Sequence, residues 1–215
     1  MNVNEKNVKK IIKEIAPAKL VAATKYVGIE EIYEHETLGV RIFGENRVQA
    51  LLEKYDKYEG KGEFHMIGTL QSNKVKYIID KVSLIHSVDR KSLLEEIQKQ
   101  AKKHQIIMPV LLQVNVANEE TKQGLKKEEL LFIFDELKKY ANVQVNGLMM
   151  MAPKDELQKI EKYFKETKKL LHDLQKEYPN LKLNQLSMGM SNDYQLAVKH
   201  GATLIRIGSM LYNSS

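Results

Sequence analysis

Lys25 ends the strand-like run within the stretch LVAATKYV, residues 20–27, where apolar and β-branched residues give way to a segment that should start a helix near Ile29. An ammonium at a strand end walled by apolar and small side chains is desolvated, so its pKa falls and the free amine becomes a nucleophile toward a carbonyl. The same residues also allow an ordinary solvated lysine. Two other segments offer an anion site. SMGMSND, from Ser187 to Asp193, places small residues and hydroxyls ahead of a helix expected to start near Ser191, and RIGS, from Arg206 to Ser209, makes a second small-residue turn. Hydroxyls and backbone N–H groups at a helix's positive end suit a phosphate, although Gly and Ser there also make plain turns and N-caps. His65 and His86 sit at expected strand ends, but no third ligand follows at a metal-site spacing. They read as hydrogen-bonded wall residues as readily as ligands.

The elements that must position these residues alternate along the chain. Short apolar runs, KLVAATK, VRIFGEN, EFHMIG, SLIHSV, PVLLQVNV, VQVNGLMMM, KLNQLSMG and ATLIRIG, are separated by longer charged segments with helical periodicity. Helices are expected from near Ile29, Asn46, Ser72, Arg90, Lys126, Lys154 and Ser191, with a leading helix over about 4–15. Eight strands in βα alternation predict a closed (β/α)8 TIM-like barrel filling residues 1–215 as one domain. A doubly wound open sheet is the alternative, and no GxGxxG supports it. The chain stops soon after the eighth strand, so the leading helix is expected to fill the place of the last outer helix.

Barrel chemistry gathers at the C-terminal ends of the strands, and phosphates commonly bind after strands seven and eight. Those ends carry Lys25, Gly44 to Asn46, His65, Gly68, His86, Ser87, Asn115, Met149 to Met151, Ser187 to Ser191 and Arg206 to Ser209. In a closed barrel strand one lies beside strand eight, so Lys25 and the two small-residue loops become neighbours. A phosphorylated carbonyl compound would then be held at one end and captured at the other. Pyridoxal 5'-phosphate (PLP) fits this pattern, as does the sugar phosphate of a Schiff-base aldolase.

The motifs ATKY, FGEN, FHMIGTLQSNK, IHSVD, NEETKQG, GLMMMAP, SMGMSND and IRIGS occur in an order that resembles the pyridoxal phosphate homeostasis family, over about residues 20–212. That family is similar to the barrel domain of alanine racemase. The resemblance implies that Lys25 holds PLP as a Schiff base, that Asn46 lies near the ring and its phenolic oxygen, and that Arg206 faces the ring nitrogen. It further implies that Ser187, Ser191, Gly208 and Ser209 line the phosphate site, with Met188 and Met149 to Met151 packed near the cofactor. Departures from the family pattern are Arg47 and Ala50 in FGENRVQA, FHMIG in place of WHFIG, and an ending IGSMLYN in which Ser209 keeps a hydroxyl. The implied role is a non-catalytic PLP carrier in cofactor homeostasis or delivery, with PLP-requiring apo-enzymes as partners and a monomeric or weakly dimeric state. A racemase of low activity is the alternative, but it needs a second base from a domain for which this chain has no room. The NEETKQG segment, with Lys122 and Gly124, is expected as a polar loop able to order over the site.

Composition narrows the classes further. With 34 Lys and Arg against 28 Asp and Glu the formal charge is +6, which raises nucleic acid as a partner. The lysines, however, alternate with glutamates in segments such as KIEKYFKETKKL, the pattern of solvated helix faces, and there is no tryptophan. The absence of cysteine removes disulfides and thiolate chemistry and suits a cytoplasmic protein. No apolar run has the length of a membrane span, and the N-terminus has no apolar signal region.

Overall fold

Strand alternation sorts the barrel's side chains into two layers. The structure, a computed structural model, describes residues 2–117 and 123–213. Its strands are β1 (Lys19–Ala23), β2 (Ile42–Glu45), β3 (Glu63–Met66), β4 (Leu84–Val88), β5 (Met108–Gln113), β6 (Val143–Met149), β7 (Gln185–Ser187) and β8 (Leu204–Ile207). All pair in parallel in chain order and close into a barrel, with Lys19 opposite Leu204 and Ala22 opposite Ile207. The open-sheet alternative is thereby excluded. Val21, Ile42, Ile67, Leu84, Leu111, Met149 and Leu204 fill the inside as a separate apolar cluster. Their neighbours along the strands, such as Leu20, Ala22, Phe43 and Ile205, face outward into the layer shared with the helices.

The outer layer comprises α1 (Glu5–Ile15), α2 (Ile29–Thr37), α3 (Val48–Tyr55), α4 (Val75–Ile78), α5 (Lys91–Lys103), α6 (Lys127–Glu136), α7 (Leu157–Glu177) and α8 (Tyr194–Lys199). In α7 the buried residues Ile160, Phe164, Thr167, Leu171 and Leu174 recur every three or four positions, as one helical face requires. Burial of a side chain such as Phe164 contributes about 1.5–3 kcal/mol. The opposite face carries the i,i+4 pairs Lys165–Glu161 and Lys169–Asp173, each worth only a few tenths of a kcal/mol. The lysine-rich segments are thus solvated helix faces.

The leading helix occupies the place expected for it. Asn4 caps α1 by accepting from the Asn7 N–H at 3.0 Å, and Val8, Ile11 and Ile15 turn inward. After β8 the chain makes a 3-10 turn, Ser209–Leu211, and α1 is fastened to it. The Asn4 N–H donates to Leu211 O at 2.8 Å, and Asn7 Nδ2 donates to Met210 O at 3.1 Å. On the other side the Tyr194 hydroxyl of α8 donates to Glu14 at 2.5 Å. Two element ends differ from expectation. β1 stops at Ala23 rather than running to Lys25, and α8 begins at Tyr194, three residues beyond Ser191. Among the described residues, no helix is long and apolar enough to cross a membrane.

Candidate functional site

A cavity of about 640 Å³ opens at the C-terminal mouth of the barrel, and Lys25, Asn46, Ser191, Arg206, Gly208 and Ser209 all line it. These six come from the ends of four strands, β1, β2, β7 and β8, which closure makes neighbours.

Lys25 is not desolvated by the strand end as its sequence context suggests: it is exposed, in a turn two residues beyond β1. Its Nζ lies 4.7 Å from the centre of the exposed Tyr26 ring. The backbone beside it is fixed instead. The Thr24 N–H donates to Gly44 O at 3.1 Å, and its hydroxyl donates to Glu45 Oε1 at 2.5 Å. The Lys54 ammonium, reaching in from α3, donates to Thr24 O and to Glu45 Oε1, both at 2.5 Å. Glu45 is fully buried and Lys54 nearly so. A buried pair of this kind is retained because either partner alone would be an uncompensated charge.

Asn46 follows β2 and packs on Gly68, where a Cβ would come within 2.3 Å of Asn46 O, so only glycine allows this close approach. In the loop after β7, Gly189 has φ +92, and a Cβ there would lie 2.5 Å from Ala197 Cβ. The turn is closed by the Met190 N–H donating to Asp193 Oδ1 at 2.6 Å, and burial holds the Asp193 carboxyl above its usual range. Ser191 therefore lies in a turn ahead of a six-residue helix, and its hydroxyl rather than the helix end is its contribution.

Among the described residues, Arg206 is the one cavity-lining residue that is both charged and buried, 5% exposed. Its Nη1 donates to Ser187 Oγ at 2.5 Å and its Nη2 to Met150 O at 3.0 Å. Burial pushes its pKa down to about 10, against the pull of Asp193, so it stays a cation at neutral pH.

Other expectations are corrected as well. Ser187 does not line the cavity: it is fully buried in β7, and its hydroxyl is engaged by Arg206 and by His86 Nδ1 at 2.8 Å. Met188 is fully buried in the outer layer facing the helices. Of the methionine run, Met149 belongs to the barrel interior and Met150 to the outer layer, and Met151 reaches the cavity. His65 and His86 lie inside the barrel rather than at its mouth, with His65 Nδ1 and His86 Nε2 2.9 Å apart. Each remaining ring nitrogen is also hydrogen-bonded, so the pair offers no free metal ligand. No cluster of three metal-ligating side chains occurs among the described residues. Asn115 lies outside the cavity, Arg47 is exposed, and residues 118–122 of the NEETKQG segment lie outside the described residues.

Sequence reasoning missed Thr69, Gln113 and Tyr212 on the cavity wall, whereas Gln123, also on it, belongs to the NEETKQG segment expected over the site. Gln113 could have been found, because it follows the inward Leu111 by two residues on β5. The Thr69 hydroxyl donates to Gln123 Oε1 at 2.7 Å, a contact between two loops that carries no sequence signal.

The closed barrel, with a lysine after β1 and a buried arginine on β8 sharing one mouth cavity, defines a protein of the alanine racemase N-terminal type. The family model described as Alanine racemase, N-terminal domain, matches residues 3–215. The chain is 46% identical over 197 residues to the pyridoxal phosphate homeostasis protein of Aquifex aeolicus, covering 91% of this chain and 86% of that one. It is 39% identical over 198 residues to the protein of the same name from Helicobacter pylori, covering 90% and 86%. Among solved structures, PipY of Synechococcus elongatus with PLP bound superposes with a TM-score of 0.91 at 31% identity, covering 97% of this chain and 99% of that one. The chain belongs to the pyridoxal phosphate homeostasis family, within the alanine racemase N-terminal domain class.

Proposed function

We propose that the protein binds PLP in the mouth cavity and acts in intracellular PLP homeostasis or delivery, capturing the aldehyde on Lys25. The observation that carries this reading is the convergence of Lys25, Asn46, Arg206, Ser191, Gly208 and Ser209 on one cavity. Its donor set matches the ligand group by group. An amine meets an aldehyde, an amide a phenolic oxygen, a guanidinium a pyridine nitrogen, and hydroxyls with a small-residue turn a phosphate dianion. About 640 Å³ is also within the usual range for a cofactor pocket. The names of the Aquifex and Helicobacter relatives and the PLP-bound PipY structure support the same ligand.

Bound PLP supplies an electrophilic aldehyde and a ring able to draw electrons from a substrate carbon. Arg206 bears on how far the second property is used. A guanidinium donates to the ring nitrogen without protonating it, which leaves the ring a poorer electron sink than a carboxylate partner would. Among the described residues, no carboxylate or imidazole lines the cavity, whereas the phenols of Tyr26 and Tyr212 do. The guanidinium thus disfavours carbanion chemistry of the transamination kind, and the reading is of a protein that holds and transfers the cofactor, cytoplasmic, monomeric or weakly dimeric, serving PLP-requiring apo-enzymes.

Borohydride reduction of the PLP-treated protein, followed by peptide mapping, tests the capture step. A phosphopyridoxyl group on Lys25 is expected. An adduct confined to other lysines, or none with excess PLP, would sink the reading. Incubation with L-alanine should yield no appreciable D-isomer; turnover at about 1–1000 per second would favour the racemase instead.

A further inference from the structure

Beneath the cavity, one polar chain runs through the otherwise apolar barrel interior. Arg206 Nη1 lies 2.5 Å from Ser187 Oγ, and Ser187 Oγ lies 2.8 Å from His86 Nδ1. His86 Nε2 is 2.9 Å from His65 Nδ1, and His65 Nε2 is 3.2 Å from Glu63 Oε1. These residues stand on β8, β7, β4 and β3, so the chain crosses the barrel and descends β3 to its first residue. Glu63 is there, half-exposed at the end opposite the cavity, whereas Arg206, Ser187, His86 and His65 are all buried.

The two ends of this chain fix its direction. A guanidinium only donates and a carboxylate only accepts, and the bond from His65 holds the Glu63 carboxyl below its usual range. Between them, each neutral group has one hydrogen to give. Ser187 accepts from Arg206 and gives its O–H to His86 Nδ1. His86 gives its Nε2–H to His65 Nδ1, and His65 gives its Nε2–H to Glu63. Four links thus use four hydrogens, with no polar atom left over. The reverse order would set a His65 lone pair against the Glu63 carboxylate, or require an extra proton in the interior. Burial holds His86 well below the ordinary 6.5, so the imidazole next to Ser187 and Arg206 stays neutral.

We propose that Ser187, His86, His65 and Glu63 are positioning residues that form a one-way hydrogen-bond lock on Arg206, committing one guanidinium N–H to the barrel interior and so fixing which N–H groups face the pyridine nitrogen of PLP. The ligand half of this proposal rests on the reading of the cavity as a PLP site; the chain itself does not. The lock is not a proton conduit, because Arg206 does not release a proton at neutral pH and the relay cannot reverse.

Imidazole 15N chemical shifts of the protein without ligand test the chain directly. At pH 7 both His65 and His86 are expected as neutral Nε2–H tautomers. Glu63→Gln keeps an acceptor oxygen and should keep both tautomers. Glu63→Ala, at a half-exposed position compatible with folding, should mix the tautomers of His65 and, through it, of His86. Equilibrium titration tests the lock: Ser187→Ala should weaken PLP binding about tenfold. The same substitution should leave unchanged the binding of a PLP analogue with carbon in place of the ring nitrogen. Either histidine found as the Nδ1–H tautomer at pH 7, or tautomers unmoved by Glu63→Ala, would overturn the chain. Equal weakening of both ligands by Ser187→Ala would overturn the lock. Failure of the unsubstituted protein to bind PLP would overturn the reading of the cavity, while the tautomers still decide the chain.

Discussion

Lys25, in the turn after β1, and Arg206, on the adjacent β8, share one cavity and are held in opposite ways. Lys25 has an exposed side chain on a fixed backbone: the neighbouring Thr24 is gripped through its N–H, carbonyl and hydroxyl by Gly44, Lys54 and Glu45. Arg206 is fixed in the side chain itself, by bonds to Ser187 and Met150. The difference follows from what each group would do. An amine that must reach a carbonyl, bond to it and release it needs rotamer freedom from a well-placed pivot. A guanidinium that only reads a ring nitrogen gains by having its geometry set before the ligand arrives.

That contrast can be broken at each end. The largest effect is expected at Lys25, where Lys25→Ala should abolish the borohydride-stable adduct entirely while leaving PLP binding measurable by titration, because the loops proposed to hold the phosphate remain. Next comes the pivot. Glu45→Ala leaves the Lys54 ammonium buried without its partner and should cost about 3–5 kcal/mol in urea denaturation. Asp173→Ala, which breaks an exposed pair with Lys169, should cost under about 0.5 kcal/mol. If Glu45→Ala is as mild as that, the clamp is not what fixes the backbone of Lys25.

The double substitution Ser191→Ala with Ser209→Ala should weaken PLP by about tenfold to a thousandfold and leave pyridoxal, which lacks the phosphate, little affected. Equal weakening of both vitamers would move the phosphate elsewhere. A further effect concerns acid. Burial holds His86 well below 6.5 and lowers His35, which meets the Tyr212 hydroxyl, to about 4. The unfolded chain therefore takes up protons on these groups as pH falls below about 6.5, and the native state does not. Stability should be complete above pH 6.5 and decline from there toward pH 4, at up to about 1.4 kcal/mol per pH unit for each histidine. Denaturation midpoints across that window, compared with those of His35→Gln, check the sign: the substitution should flatten the slope.

How much of this could be read from residues alone depended on strand length. On β1, with five residues, alternation separates Leu20 and Ala22 from Val21 without ambiguity. On β7, with three, a strand expected over 182–189 is observed only over Gln185–Ser187, so Ser187 belongs to the wall rather than to the loop beyond it. The same uncertainty of phase moved His65 and His86 from the mouth to the interior. Lys25, Asn46 and Arg206 were legible because barrel topology places strand ends together whatever their exact termini. The Glu45–Lys54 clamp was not, since nothing local in FGEN or in α3 announces that the two charges meet around Thr24.

The fastening of α1 to the turn after β8 bears on the order in which the protein becomes competent to bind. Asn7 and Met210 are 203 residues apart, and Val3 pairs with Tyr212, a residue of the cavity wall. Contacts of such sequence separation are among the last to form, because the chain entropy of closing so large a loop must be overcome first. A partly folded chain in which β1 and β8 have not met would hold Lys25 and Arg206 on separate edges. It could offer a ligand either group, but not both together. Ligand would therefore stabilise only the closed barrel, by RT ln(1 + [L]/Kd), and so act as a selective clamp on the last seam to join.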